Sequence, residues 1–168
     1  MKTLTQHINE WKLTNDSNVK IKTVKVESYK ELSSIIYDRY QEDNKIIDLS
    51  DIDVSNIISF SEQGVWEPYY YGLFACLDNV EIINITGWNI SNAKSLACMF
   101  YKCINLKTIL GIEKLNVSNV TTFKGMFYHC ESLKCNLNNW KVRKDANIYD
   151  MFIDCYSLTL PKWYNIKK

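Results

Sequence analysis

The sequence predicts an α/β chain: a short right-handed β/α solenoid behind an α/β N-terminal cap. Three observations carry that expectation. A pattern recurs every 25–27 residues, a period that belongs to repeats stacked on their neighbours. Within each copy the apolar residues follow a helical spacing, with a short apolar run after it. Composition is that of an ordinary globular protein, 46% hydrophobic and 23% charged over 168 residues, enough for one domain with a sizeable core.

The repeats align by inspection. WNISNAKSLACMFYKCINL starts at Trp88, LNVSNVTTFKGMFYHCESL at Leu115 and WKVRKDANIYDMFIDCYSL at Trp140. Met-Phe recurs at Met99-Phe100, Met126-Phe127 and Met151-Phe152, with Cys103, Cys130 and Cys155 after them. A looser first copy runs from Ile52 (IDVSNIISF) to LFACLDNV at 73–80. In the third copy Val120, Phe123, Met126, Phe127 and Cys130 fall on one helical face, with Ser118 or Asn119 placed as N-cap. The runs LKTI at 106–109 and LKCNL at 133–137 suit strands of a parallel ladder. The domain is read as one unit over 1–168: a cap at 1–45, four repeats at 46–160 and a tail at 161–168.

The cap does not repeat. Thr3-x-x-Gln6 reads as a capping box for a helix with Leu4, His7, Ile8 and Trp11 on one side. VKIKTVKVE at 19–27 reads as a strand, and Ser28-x-x-Glu31 as a second capping box. The helix it opens turns Leu32, Ile35, Ile36 and Tyr40 inward, and IIDL at 46–49 begins the ladder. The last repeat is atypical, with Lys141-Val-Arg-Lys144 where the others carry Asn-Val-Ser-Asn turns.

The tandem Met-Phe-x-x-Cys-x-x-Leu units, preceded by Asn-Val-Ser-Asn-Val, resemble the BspA-like leucine-rich repeats. More closely they resemble the variant found in mycoplasma-type surface lipoproteins. The resemblance covers about residues 47–160. It implies a leucine-rich-repeat-like fold without catalysis, working as an adhesin or interaction module. The start, MKTLTQHINEWKL, lacks the apolar core of a signal peptide, so a cytoplasmic protein is expected. No run approaches the ~18 apolar residues of a membrane span. The six cysteines are then reduced thiols.

Candidate chemistry is thin. Cys98-x4-Cys103 and Cys130-x4-Cys135 have the look of paired zinc ligands, but repeat-equivalent cysteines on an apolar face form a buried column. His7 and His129 are the two possible bases for a nucleophile, and no triad, phosphate loop or HExxH is present. Asp48, Asp51 and Asp53 fall in polar turns. No enzyme, metal, cofactor or small-molecule substrate is expected.

Two surfaces are candidates for binding. The Asn of the turn precedes the Phe by 8 residues in later units and by 18 in the first (Asn56 to Phe74), so ten residues are inserted within 57–73. They hold GVWEPYYYG, whose Trp66, Tyr69, Tyr70 and Tyr71 are suited to a protein interface or to sealing the joint between cap and first repeat. Charge is uneven. Residues 51–90 carry 6 acids and no base, net −6; residues 91–168 carry 12 bases and 5 acids, net +7. Trp140, Lys141, Arg143, Lys144, Lys162, Trp163, Lys167 and Lys168 interleave bases with aromatics, as a nucleic-acid patch does. The expected function is protein binding inside the cell, by occluding or scaffolding a macromolecular partner. The alternatives are an RNA- or nucleoprotein-binding factor, such as a phage or mobile-element inhibitor of a host defence complex, and a surface adhesin.

Overall fold

The structure, a computed structural model, describes residues 23–63 and 70–164. The expected first helix and the residues 19–22 of the expected first strand lie outside them. In chain order the elements are β1 (Val24–Lys25), α1 (Tyr29–Glu42), β2 (Ile46–Asp48), β3 (Ile52–Asp53), β4 (Ser61–Gln63), β5 (Tyr70–Gly72), β6 (Ile82–Asn84) and β7 (Thr108–Leu110), with a 3-10 turn at Ile112–Lys114. β2, β6 and β7 form a parallel three-stranded sheet, β1 pairs parallel with β3, and β4 pairs antiparallel with β5.

α1 follows its capping signal. Ser28 Oγ accepts from the Glu31 amide at 3.2 Å, satisfying an amide that the first turn leaves open, and the Glu31 carboxylate accepts from the Glu27 amide ahead of the cap at 2.9 Å. Leu32 and Ile36 are buried, with Ile35 and Tyr40 packed at the core's edge.

The solenoid expectation is overturned. α1 is the only α-helix among the described residues, the strands are two or three residues long and sit in small separate sheets, and the architecture is a small mixed α/β fold. No helix forms over Val120–Cys130, nor over the matching spans. The run LKCNL holds no strand; its backbone link to the preceding run is the bond from the Lys134 amide to the Lys107 carbonyl at 3.0 Å.

The backbone explains why helical spacing gave no helix. The chain turns left-handed two residues before Phe100, Phe127 and Phe152, at Cys98 (φ 54), Gly125 (φ 60) and Asp150 (φ 55), and two residues after all four Phe, at Cys76 (φ 61), Lys102 (φ 57), His129 (φ 55) and Asp154 (φ 56). An α-helix cannot pass such residues. Instead the amides alternate. In the third repeat Met126, Tyr128 and Cys130 bond three residues back, to Phe123, Gly125 and Phe127 at 3.0, 3.1 and 2.9 Å. The intervening amides of Phe123, Gly125, Phe127 and His129 reach the next repeat's Asn147, Tyr149, Met151 and Ile153 carbonyls at 2.7, 2.9, 3.0 and 2.9 Å. Leu96, Cys98, Phe100 and Lys102 make the same four bonds to Thr122, Lys124, Met126 and Tyr128. Tandem turns bury the same apolar positions that a helix would, so the sequence pattern fits both.

Side chains repeat with the backbone. Phe74, Phe100, Phe127 and Phe152 form a column of parallel rings, with centroids 5.1, 5.5 and 5.7 Å apart. The indole N–H of Trp88 donates to Leu49 O at 2.9 Å, that of Trp140 to Ile112 O at 2.9 Å, and that of Trp163 to Leu137 O at 2.7 Å. Asparagines make Asx turns (Asn89 to Ser91, Asn116 to Ser118) and ladder contacts from Asn92 to Ser55 O and Asn119 to Ser91 O. Their abundance is structural here, through side chains that mimic backbone turns.

Candidate functional site

The first repeat departs from this scheme at one point. Phe60 occupies the place of Leu96 and Phe123, since its amide reaches Ser95 O at 2.9 Å. Met99 and Met126 bond back to Leu96 and Phe123, at 3.3 and 3.0 Å; Leu73 bonds back to Phe60 at 3.0 Å. A turn that closes over three residues elsewhere here closes across residues 60–73, with the hairpin β4–β5 between. After it Phe74 and Cys76 resume the joint, to Met99 O and Tyr101 O at 2.9 and 2.8 Å. The insertion therefore leaves the core through the position that Ala97 and Lys124 hold in later repeats. Ser61 Oγ, bonded to Ser95 Oγ at 2.9 Å, marks its root.

Gly72 is the residue that permits re-entry. A Cβ there would stand 1.7 Å from Cys98 O and 2.7 Å from Met99 N, both rigid backbone atoms. The sequence does show a glycine closing the tyrosine run, but its partner across the joint was not readable. Of the expected insertion residues, Trp66 and Tyr69 lie outside the described residues, while Tyr70 and Tyr71 run in β5, opposite Gln63 and Glu62. β4 contributes one carboxylate, Glu62. Tyr29 faces it: burial, with the Glu62 charge second, pushes its hydroxyl up to about 12.

The basic segment is divided. Trp140 is 4% exposed and Trp163 is half-buried; both indoles are held by the carbonyls named above, and neither ring is a surface platform. Arg143 makes a fork to Asp145, at 2.9 and 2.7 Å. Lys141, Lys144 and Lys162 are exposed, and Lys167 and Lys168 lie outside the described residues. Among the described residues, then, Trp140 and Trp163 are packed inward while Lys141, Lys144 and Lys162 face solvent.

The thiols are structural. Cys103, Cys130 and Cys155 donate to Phe74 O, Phe100 O and Phe127 O of the preceding repeat at 2.9, 2.9 and 2.8 Å. Burial pushes Cys135 up to about 12, Cys155 up to about 11, and Cys103 and Cys130 far above the ordinary thiol range. Cys130 faces a carbonyl and not the neighbouring imidazole. His129 instead sits between Asp154 (Nε2–Oδ2 3.0 Å) and Glu131 (Nδ1–Oε1 3.7 Å). No group of three or more His, Cys, Asp or Glu suited to a metal occurs among the described residues. Asp48 accepts from the Ser50 amide and Asn84, Asp53 from the Ser55 amide, and Asp51 takes a bidentate fork from Arg39 at 2.7 and 2.8 Å. The open cleft beside Arg39, Glu42 and Asp43 is lined by both partners of that ion pair.

Sequence reasoning missed one surface feature. Tyr101 and Tyr128, each just after its Phe, stack at the surface with centroids 4.9 Å apart, and Lys102 Nζ lies 5.5 Å from the Tyr101 ring. Ile153 continues the column, 42% exposed. The repeat alignment holds this signal, as a position where the inward pattern is interrupted.

Residues 70–168 match the family described as "Mycoplasma protein of unknown function, DUF285". The match opens at the start of β5 and covers the end of the first repeat and the three repeats after it. No curated protein and no solved structure matches the chain.

Proposed function

The chain belongs to that Mycoplasma family, DUF285, and on this premise we propose that it is a non-catalytic protein-binding module that occludes or scaffolds a macromolecular partner. The observation that carries the reading is the β4–β5 hairpin, which leaves the first repeat without breaking its joint to the second. A graft that the fold does not need, rich in Trp and Tyr, matches the chemistry of interface hot spots. Its acidic surroundings fit a basic partner surface. The tandem Met-Phe-x-x-Cys-x-x-Leu units support placing these repeats with the BspA-like variant, whose characterised members are interaction modules. Six free thiols suit a reducing compartment and hence a place inside the cell; no helix among the described residues is long and apolar enough to cross a membrane. The RNA-binding reading draws less support, because Trp140 and Trp163 hold the last repeat in place and Arg143 is engaged by Asp145.

The test is affinity capture from a lysate of the native host, with the intact protein and a Trp66→Ala/Tyr70→Ala variant. A partner recovered by the first and lost by the second supports the hairpin as interface. Equal recovery by both removes it. A partner released by nuclease would favour the RNA reading.

A further inference from the structure

Each repeat has a donor edge. The amides four and two residues before the Phe, at the Phe and two after it point to the next repeat, as the second and third repeats show with four bonds each. In the last repeat these positions are Ile148, Asp150, Phe152 and Asp154, and among the described residues no acceptor meets their amides. The same repeat carries Tyr149, Ile153, Tyr156 and Leu160, exposed at 65, 42, 75 and 41%. These are half of the large exposed hydrophobics among the described residues; Tyr149 and Ile153 alternate along the chain with the unmet donors, and the Tyr156 hydroxyl donates to Asp154 Oδ1 at 2.7 Å. The core behind them is covered: Tyr164 stands edge-on to Phe152 at 5.0 Å, where the next Phe of the column would lie.

We propose that this edge is a docking site for a segment of a partner protein that presents carbonyl oxygens at alternate residues and apolar side chains between them. It adds to the last repeat as Asn147–Ile153 adds to the third. The occupant follows from continuity with the existing joints, which use the same four positions and the same turn geometry. Two copies of this chain cannot join edge to edge here, because donors would face donors. Unpaired sheet edges and exposed apolar patches are the features that recruit a further strand-like segment. The site rests on the protein-binding reading, but lies at the opposite end of the repeats from the hairpin and needs no residue of it.

The test is amide hydrogen exchange on the full chain, alone and with a large excess of a synthetic peptide of residues 119–131, NVTTFKGMFYHCE, which supplies the acceptor row to the second repeat. Alone, Ile148, Asp150, Phe152 and Asp154 should exchange much faster than Phe123, Gly125, Phe127 and His129. With peptide they should slow by about tenfold or more. A Tyr149→Asp/Ile153→Asp variant should lose that slowing and keep Phe127 protected, whereas the Trp66→Ala/Tyr70→Ala variant should keep it. Full protection in the dilute chain alone would overturn the proposal, as would no slowing with peptide. So would slowing that grows with protein concentration without peptide, or that an RNA oligonucleotide produces and the peptide does not.

Discussion

The first and the third repeats share a plan and differ by ten residues, yet the first keeps three of the four amide bonds that the third makes to its neighbour. In the third, Lys124 occupies one position of a tight turn; in the first, a hairpin fills that position and the flanking Phe60 and Leu73 still bond as Phe123 and Met126 do. Joint geometry, set by alternate amides and a column of Phe rings, is thus separable from what leaves the turn. The difference shows which part of each repeat is fold and which is free for function.

The sharpest way to break the comparison is through the ring column. Phe100 is stacked on both sides, by Phe74 and Phe127, and Phe152 on one face by Phe127 with Tyr164 at its edge. Phe100→Ala should cost about 4 kcal/mol of unfolding free energy in urea titration, and Phe152→Ala distinctly less. Equal costs would mean that stacking across joints does not organise the core.

Gly72→Ala comes next. Its Cβ would meet the Cys98 carbonyl, and about 3 kcal/mol of overpacking is expected. Gly87→Ala, where nothing lies within 4 Å but φ is 90°, should cost about 1 kcal/mol from backbone strain alone. A mild Gly72→Ala would show that β5 re-enters elsewhere.

The smallest effect concerns acid. Hydrogen bonds from Arg39, ahead of the charge attraction, hold Asp51 below the usual carboxylate range. A group lowered in the folded state stabilises above its unfolded value, about 4, and that contribution is lost as pH falls through the lowered folded value. Asp51→Asn should therefore flatten the acid limb of stability over that window while leaving neutral stability only slightly reduced. An unchanged acid limb would show that the pair is too exposed to matter.

The repeat period, the cap helix opened by Ser28, the buried cysteine column and the ten-residue insertion are all legible in the residues. The helices expected within the repeats are not what forms, and the reason is specific. Apolar residues at intervals of 3, 3, 1 and 3 are buried equally well by tandem turns, and the left-handed positions are masked where Cys76, Cys98 and Lys102 hold them. Only Gly125, His129, Asp150 and Asp154 advertise that conformation by type. Trp140 and Trp163 look like surface aromatics in a basic segment because the carbonyls that hold them lie 28 and 26 residues back. The donor edge of the last repeat is invisible in sequence, since it is defined by where backbone amides point.

The most direct test of a hairpin grafted on an intact joint is to delete residues 62–71, which leaves Ser61 alone in the place of Ala97 and joins it to Gly72. Amide exchange at Phe60, Phe74 and Cys76 is the measurement. The account predicts protection within about threefold of the intact chain at all three, as befits bonds whose opening free energy has not changed. Loss of protection at Phe74 and Cys76, with the second and third repeats still protected, would contradict it and make the hairpin part of the fold.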